Sequence, residues 1–391
     1  MKRIGIYGGT FNPPHVGHLR AAQYALQGLS LDEILVIPSF ISPHKKLPEG
    51  SGTPQQRLAM TRLCFADAGF TVSDMELSRG GTSYTYQTAE ALRKKYPDAE
   101  LVLLMGTDMF LSFLDWVEPQ RILACVSLGV FYRGEKGEKA AVAQQKAHLE
   151  ALGATVYLLE NPVTEISSTD LRRMLVFGCA GDYLTPEVLS YIRQTGLYGC
   201  GCDYRALTLE KLENAVTGLL KPNRVAHVLG CRDTAVELAR RWGAKVDHAA
   251  RAALLHDITK ALDGPLQLTL CSAYGIILDN FSTHNPKTLH ALTGSLVAER
   301  VFGEVPEVVS AIRSHTTGKA GMNTLEKIIY VADYMEPNRD FPGVEALRQL
   351  AFTDLDSALR KGLEMTLAVL QQEGKEISPE SRQALAYLNA Q

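Results

Sequence analysis

The chain has 391 residues, of which 46% are apolar and 21% are charged, a balance typical of a soluble globular protein. Its formal net charge of −3, from 40 basic and 43 acidic residues, gives it no overall attraction for nucleic acid or an anionic membrane. Seven thinly spread cysteines, and the lack of any run of roughly 18 apolar residues, predict a cytoplasmic protein with neither a disulfide framework nor a membrane span.

Residues 1–200 alternate between short apolar runs and segments of helical period. The predicted strands are Arg3–Gly8, Glu33–Ile37, Glu100–Met105, Leu128–Tyr132 and Thr155–Leu159. The predicted helices are Gly17–Leu29, Pro54–Ala68, Thr85–Tyr96 and Pro186–Gln194. Strands that alternate with helices form parallel sheets covered on both faces. We therefore expect a doubly wound, Rossmann-like α/β domain over residues 1–200, with ligands at the carboxyl ends of its strands.

The pattern changes after Gly196, where a turn-rich joint precedes a second region without strand-like runs. The predicted helices there are Leu207–Leu220, Asn223–Trp242, Asp247–His256, Thr288–Val301, Pro306–Ser314, Thr324–Met335 and further helix from 343 onward. The length of the chain also favours two domains over one. We therefore expect an all-α domain over residues 205–391, and the sequence leaves homo-oligomerisation open.

A segment rich in glycine, proline and histidine follows the first predicted strand. Residues 8–18 read GGTFNPPHVGH, and the two leading glycines let backbone amides approach a polyphosphate. A helix is predicted to begin near Val16, so its first amides and positive dipole end point at the same place. His15 and His18 share one face at this helix start, where imidazoles can donate hydrogen bonds to a phosphate in the transition state. A turn with two solvated histidines is the alternative.

This string resembles the HxGH signature of the nucleotidylyltransferase superfamily, and its full form is similar to that of bacterial nicotinate-nucleotide adenylyltransferases. The segment ISSTDLR at 166–172 resembles the ISSTxIR signature of the same family, in which a helix start and an arginine bind the outer phosphates of ATP. The resemblance covers residues 1–198. It implies transfer of AMP from ATP, with Mg²⁺ arriving on the ATP, to nicotinate mononucleotide, giving deamido-NAD and pyrophosphate. A sister enzyme that uses another acceptor, such as phosphopantetheine, is the main alternative.

The resemblance also assigns roles along the predicted domain. A basic loop at His44 and Lys45 closes on substrate phosphates, and the nicotinate ring lies near Tyr84, Thr85 and Trp116. Asp108 contacts ribose, and Arg133 ends the fourth predicted strand near the nucleotide. The implied catalytic residues are His15, His18 and Lys45. The implied binding residues are Gly8, Gly9, Thr10, Phe11, His44, Tyr84, Thr85, Gly106, Asp108, Trp116, Arg133, Ser167, Ser168, Thr169 and Arg172. Without the resemblance, the basic loop is equally well interpreted as a solvated surface loop. The segment around Tyr84 is then an ordinary N-terminal helix cap.

Six polar side chains lie within apolar helical segments of the second region. They are His227, His256, Asp257, His290, His315 and Asp333. One such residue is usually a satisfied core histidine, but burying six of them without a metal or partners is costly. Imidazole and carboxylate ligands together suit Fe, Mn or Zn, and two such ions can clamp a phosphoryl group.

The order H…HD…H…H…D resembles the HD-domain metal-dependent phosphohydrolases, and the strings LLHDITK, AIRSHT and KIIYVADYMEPNR are similar to their YqeK-type bacterial branch. That branch cleaves diadenosine tetraphosphate symmetrically to two ADP at a di-iron centre. The implied ligands are His227, His256, Asp257 and Asp333 for one ion, and Asp257, His290 and His315 for the other, with iron or another divalent transition metal bound.

The same resemblance makes Asp257 and Lys260 catalytic, and Lys260 and Arg339 candidates for phosphate contact. Arg339 is equally well a solvated surface charge. The family usually has glycine after the third histidine, where this chain has Ala291. Action on another nucleotide, or a non-catalytic module that binds a nucleotide and regulates its neighbour, are therefore the alternatives for residues 205–391.

Overall fold

The chain forms two units, Met1–Gly201 and Cys202–Gln391. The structure is a computed structural model, and it describes residues 1–43, 46–67, 69–132, 137–160 and 166–390. In this described part of the chain, no helix combines the length and apolarity needed to cross a bilayer.

The first unit is built on one parallel sheet. Its strands are β1 (Arg3–Gly9), β2 (Glu33–Pro38), β3 (Phe70–Val72), β4 (Glu100–Gly106), β5 (Ser127–Phe131) and β6 (Val156–Leu159). Their spatial order is β3-β2-β1-β4-β5-β6, and every neighbouring pair is parallel. The order reverses between β1 and β4, which opens a crevice at the carboxyl ends of these two strands. The predicted doubly wound sheet is confirmed.

Helices connect and cover these strands. They are α1 (Val16–Gly28), α2 (Pro54–Cys64), α3 (Met75–Arg79), α4 (Thr85–Lys95), α5 (Thr107–Leu111), α6 (Pro119–Leu123), α7 (Glu138–Ala151), α8 (Ser168–Val176) and α9 (Pro186–Thr195). Both faces of the sheet are therefore buried, and Leu101 to Met105 of β4 are at most 5% exposed.

The predicted helix Pro54–Ala68 is too long at its carboxyl end. Helix α2 stops at Cys64, where the N–H of Phe65 donates to the carbonyl of Thr61 at 3.0 Å. The Phe65 ring is buried against Phe70 of β3, with ring centroids 5.6 Å apart. Burial of this ring and pairing of the edge strand β3 outweigh the helical period. A three-residue strand is too short to be recognised from its sequence.

The second unit is all α-helical within its described residues, as predicted. Its helices are α10 (Leu209–Leu219), α11 (Pro222–Trp242), α12 (Val246–Leu255), α13 (Gly264–Ala273), α14 (Asn280–His284), α15 (Leu289–Arg300), α16 (Pro306–Ser314), α17 (Thr324–Met335), α18 (Val344–Ala351), α19 (Leu355–Gln372) and α20 (Pro379–Asn389). Helix α12 packs against α10, α11, α15, α16 and α17. Its four buried alanines let these neighbours approach closely. The carboxyl end of α12 therefore lies at the centre of the unit.

Candidate functional sites

The carboxyl edge of the sheet in the first unit opens into a cavity of about 860 Å³. The predicted residues that line it are Gly8, Gly9, Thr10, Phe11, His15, His18, Thr85, Gly106, Asp108, Trp116, Ser167, Ser168, Thr169 and Arg172. They come from the β1–α1 loop and helix α1, the start of α4, the segment from the end of β4 to Trp116, and the start of α8. Four stretches that are distant in sequence thus share one concave surface.

Tyr84 is not among the residues that line this cavity. Ser83 and Thr85 do line it, and Tyr84 between them has extended backbone (φ −83°, ψ 126°) as the N-cap of α4. Extended backbone directs successive side chains to opposite sides. The Tyr84 ring stacks instead on Tyr86, with ring centroids 6.1 Å apart. The predicted contact of Tyr84 with the nicotinate ring therefore finds no support in the geometry.

Three predicted residues, His44, Lys45 and Arg133, lie outside the described residues. Their roles remain predictions. The neighbouring Lys46 lines the cavity and gives this wall a cationic side chain.

The loop between β1 and α1 is anchored through Asn12, which is 4% exposed. The hydroxyl of Tyr198 donates to Asn12 Oδ1 at 2.8 Å, and Asn12 Nδ2 donates to Ser51 Oγ at 2.8 Å. Arg172 Nη1 donates to the Asn12 carbonyl at 2.8 Å. These contacts fix the backbone that presents the glycines and histidines to the cavity. The sequence analysis assigned no role to Asn12 or Tyr198.

The two leading glycines of the loop differ in their surroundings. A Cβ at Gly8 would have no heavy atom within 4 Å, whereas one at Gly9 would lie 3.0 Å from the Phe11 ring. Gly9 is therefore needed for packing inside the loop. Gly8 keeps open the space through which a ligand reaches the backbone.

We predict that Gly8→Ala weakens ATP binding about tenfold without changing the thermal unfolding midpoint, because the methyl group fills only ligand space. Calorimetric titration with ATP and a thermal unfolding curve measure the two effects. Gly181→Ala is the matched control, because a Cβ there also meets no atom within 4 Å and Gly181 does not line the cavity. An unchanged ATP affinity in Gly8→Ala would contradict the assignment of this backbone to phosphate binding.

His15 and His18 lie against each other at the start of α1, with ring centroids 3.7 Å apart and ring planes inclined by 39°. The His15 backbone N–H donates to His18 Nδ1 at 3.2 Å, so a neutral His18 carries its proton on Nε2. Burial lowers the pKa of His15 to about 4 and keeps its ring neutral at pH 7. His15 Nδ1 makes no hydrogen bond to any described residue. His15 lines the cavity, so a bound ligand can reach its ring.

The start of α8 lies against the same loop. Ser167 caps this helix by accepting the Asp170 N–H at 3.1 Å, and Ser168 Oγ donates to the Pro13 carbonyl at 3.3 Å. Arg172 also donates from Nη2 to Thr169 Oγ1 at 3.1 Å. The positive ends of α1 and α8 therefore both reach this cavity, an arrangement suited to binding a polyphosphate.

A second group of side chains converges at the carboxyl end of α12. His256 and Asp257 follow that helix, and both are 0% exposed. Asp257 Oδ2 lies 3.6 Å from His227 Nε2 and 3.5 Å from His256 Nε2. Asp257 Oδ1 lies 3.4 Å from His290 Nε2 and 3.7 Å from His315 Nε2. One carboxylate thus faces a pair of imidazoles with each of its oxygens.

Asp333 of α17 completes the six predicted side chains, 3.1 Å from His227 Nε2 and 3.8 Å from His256 Nε2. Two groups have ligand atoms all within 4.8 Å of one another. They are His227 with His256 and Asp333, and His256 with Asp257 and His315. His256 belongs to both groups, whereas the sequence analysis placed it with one ion. His290 Nε2 adjoins the second group, 3.2 Å from His315 Nε2.

Three of the four histidines are oriented by the backbone. The Nδ1 atoms of His256, His290 and His315 contact the carbonyl oxygen three residues earlier, at 2.6, 2.8 and 2.7 Å. This contact places the proton on Nδ1 and leaves the Nε2 lone pair facing Asp257. Burial lowers the pKa of His256 to about 4 and that of His290 to about 3, so both are neutral at pH 7.

The donor set fits divalent transition metals. His256 Nε2 is buried and makes no hydrogen bond to a described residue, and burying such an atom without a partner is unfavourable. Mixed imidazole and carboxylate ligands suit Fe, Mn and Zn. Burial opposes ionisation of Asp257, but His256 and the neighbouring histidines and Lys260 hold the pKa of its carboxyl well below its usual range.

His227 has a different orienting partner, Glu336, which is 1% exposed. Glu336 Oε1 lies 3.1 Å from His227 Nδ1, and Glu336 Oε2 accepts the backbone and side-chain N–H groups of Asn338 at 2.7 and 2.8 Å. Burial alone would lower the pKa of His227, but its contacts with Asp257, Asp333 and Glu336 raise it to about 9. The sequence analysis assigned no role to Glu336.

We predict that Glu336→Gln lowers the affinity of the second unit for divalent metal by about 10- to 100-fold, because the carboxylate that orients His227 is lost. Chelator competition and elemental analysis of the purified chain measure this change. Glu373→Gln is the matched control, since the Glu373 side chain is 49% exposed and pairs with the exposed Lys375. Equal metal affinity in Glu336→Gln and wild type would contradict the orienting role.

Three cations surround the two central carboxylates. Lys260 Nζ lies 3.2 Å from Asp257 Oδ1, Arg339 Nη2 lies 2.7 Å from Asp333 Oδ1, and Arg224 Nη2 contacts Asp257 Oδ2. Arg224 precedes His227 by three residues on α11 and so shares its face of the helix. The sequence analysis placed Lys260 and Arg339 here and missed Arg224. These cations can neutralise phosphate oxygens.

The two family models that match this chain fall in different units. The family model for cytidylyltransferase-like proteins matches residues 6–174, and that for HD domains matches residues 224–338. A probable nicotinate-nucleotide adenylyltransferase of Gemmatimonas aurantiaca is 37% identical over 201 residues, which cover 50% of this chain and 92% of that protein. The corresponding protein of Aeromonas salmonicida is 41% identical over 208 residues, which cover 50% of this chain and 96% of that protein.

A solved structure resembles the other part of the chain. It comes from Clostridium acetobutylicum and is described as a predicted HD superfamily hydrolase involved in NAD metabolism. It is 36% identical, with a TM-score of 0.46, and the match covers 47% of this chain and 98% of that chain.

Proposed function

The first unit of this chain belongs to the nicotinate-nucleotide adenylyltransferase family, and on that premise we propose that it transfers AMP from ATP to nicotinate mononucleotide. The products are deamido-NAD and pyrophosphate. The observation that carries this proposal is the single cavity onto which His15, His18, the start of α8 and Arg172 all open. Each of these groups stabilises negative charge, and no covalent nucleophile is required.

In the proposed reaction, a phosphate oxygen of the mononucleotide attacks the α-phosphorus of ATP in line. A new P–O bond forms, the bond from the α-phosphorus to the bridging oxygen breaks, and pyrophosphate leaves with that electron pair. His18 donates from Nε2 to phosphate oxygens as their charge rises. The starts of α1 and α8, together with Arg172, hold the phosphates in line, so catalysis is positioning and neutralisation.

An assay of the whole chain tests this proposal. The chain is incubated with ATP, Mg²⁺ and either nicotinate mononucleotide, nicotinamide mononucleotide or phosphopantetheine, and pyrophosphate release is measured. We expect nicotinate mononucleotide to give the highest kcat/KM. Release with phosphopantetheine alone would assign the unit to a sister adenylyltransferase, and release with none of the three would refute adenylyl transfer to these acceptors.

The second unit carries an HD domain, and we propose that it hydrolyses diadenosine tetraphosphate symmetrically to two ADP. The observation that supports this proposal is the convergence of all six predicted ligand side chains around Asp257. Two divalent transition metals, iron by family resemblance, would be held by these residues and would supply Lewis acidity for attack of water on phosphorus. Lys260, Arg224 and Arg339 would neutralise the oxygens of the tetraphosphate.

The alternatives are action on another nucleotide and a non-catalytic regulatory role. To distinguish these alternatives, the chain is purified without chelator, its metal content is measured by elemental analysis, and it is assayed with diadenosine tetraphosphate. We expect bound transition metal and formation of two ADP per substrate. Metal with no turnover would favour the regulatory alternative, and formation of ATP with AMP would contradict symmetrical cleavage.

A further inference from the structure

Arg57 of α2 is a fully buried guanidinium in the first unit, with 0% exposure. Its Nη1 donates to the Thr10 carbonyl at 2.6 Å, and its Nη2 donates to the Phe40 carbonyl at 2.9 Å. Within the described ranges, no carboxylate pairs with Arg57, and its Nε makes no hydrogen bond. A buried cation without a counter-charge is strongly unfavourable, so its presence needs a physical reason.

Both of its acceptors lie at the carboxyl edge of the sheet, beside the cavity. Thr10 follows β1 and lines the cavity. Phe40 follows Ser39, which also lines the cavity and whose N–H donates to the Gly9 carbonyl at 2.9 Å. Arg57 therefore joins the ends of β1 and β2 where the phosphates of a nucleotide would lie. Arg57 does not line the cavity itself and is linked to it through the Thr10 carbonyl, which accepts a hydrogen bond from Nη1.

We propose that Arg57 is a positioning residue of the nucleotide site and that the phosphates of bound ATP are its counter-charge. The guanidinium holds the loop that begins at Thr10 in its phosphate-binding conformation. It also adds positive electrostatic potential next to that loop. Because solvent does not reach this charge, salt screens it less than it screens an exposed lysine such as Lys46. The inference rests on the proposed adenylyl transfer, since it requires a polyphosphate in this cavity.

Three variants separate the charge of Arg57 from its structural role. Arg57→Lys keeps the charge and loses the planar fork, and Arg57→Gln keeps an N–H donor and loses the charge. Tyr198→Phe is the matched control, because it removes a neutral anchor of the same loop, the hydrogen bond to Asn12. Dissociation constants for ATP, AMP and adenosine are measured on the full chain, together with thermal unfolding curves.

For Arg57→Gln we expect the affinity for ATP to fall at least about tenfold, that for AMP less, and that for adenosine less than about twofold. Arg57→Lys is expected to retain the ratio of ATP affinity to adenosine affinity, and Tyr198→Phe to change all three affinities by a similar factor. Equal losses for ATP and adenosine in Arg57→Gln would overturn the inference. If that variant does not fold, loss of the affinity ratio in Arg57→Lys would overturn it as well. A wild-type chain that does not bind ATP would instead refute the proposed function.

Discussion

Asp257→Asn is expected to remove at least one of the two metal ions that we propose the second unit binds, and to lower hydrolysis of diadenosine tetraphosphate by at least about a thousandfold. The two oxygens of Asp257 each face a pair of imidazoles, and the amide of Asn has only one oxygen, so it could not serve both pairs. The substitution also removes the carboxylate with which Lys260 and Arg224 pair. Because Asp257 is 0% exposed, water does not replace that carboxylate. Elemental analysis of the purified chain and ADP formation measure the two effects.

Asp356→Asn is the control for this variant, because Asp356 pairs with Lys327 and its side chain is 45% exposed. It should keep its metal and its activity. Thermal unfolding with and without chelator checks the fold, since bound metal stabilises the folded state by mass action. Two ions per chain in Asp257→Asn would contradict the proposed role of Asp257 in holding metal.

His18→Ala is expected to lower the kcat of adenylyl transfer at least about a thousandfold while weakening ATP binding less than about tenfold. Its Nε2 proton acts where charge develops in the transition state, so its loss affects kcat more than ground-state binding. Steady-state kinetics and calorimetric titration with ATP measure the two quantities. His148→Ala, an exposed histidine of α7, is the control and should match wild type. A kcat within tenfold of wild type in His18→Ala would contradict the assigned role.

The protonation of His15 makes the stability of the folded chain depend on pH. Its pKa of about 4 in the folded chain lies below the ordinary histidine value of 6.5, so the unfolded chain takes up the proton first as the pH falls. The stability that the neutral His15 provides is therefore complete above pH 6.5 and is lost progressively towards pH 4. The charge of His15 should not change the transfer rate between pH 8 and pH 6.

Most of the parallel sheet could be predicted from the sequence because its strands are buried on both faces and form unbroken apolar runs, as in Leu101–Met105. The edge strand Phe70–Val72 could not, since three residues carry too little pattern. Helix α13 begins with Gly264 and Pro265, residue types that in a sequence usually indicate a turn or loop. In the structure, Asp263 caps it by accepting the Leu266 N–H at 3.0 Å.

The candidate site residues that could be predicted are those in compact signatures, such as His15 with His18 and His256 with Asp257. The supporting residues could not, because they act across long stretches of chain: Tyr198 reaches Asn12 over 186 positions, and Glu336 reaches His227 over 109. Tyr84 shows that a sequence motif can also mislead. The motif gives the position of Tyr84 in the chain, but the local backbone decides to which side of the start of α4 its side chain points.

We propose that one chain carries two catalytic centres, one for adenylyl transfer and one for phosphate hydrolysis. Pyrophosphate release and ADP formation, measured side by side for wild type, His18→Ala and Asp257→Asn, test this proposal most directly. We expect His18→Ala to lose pyrophosphate release alone and Asp257→Asn to lose ADP formation alone. Loss of both activities in either single variant, with the fold intact, would contradict it.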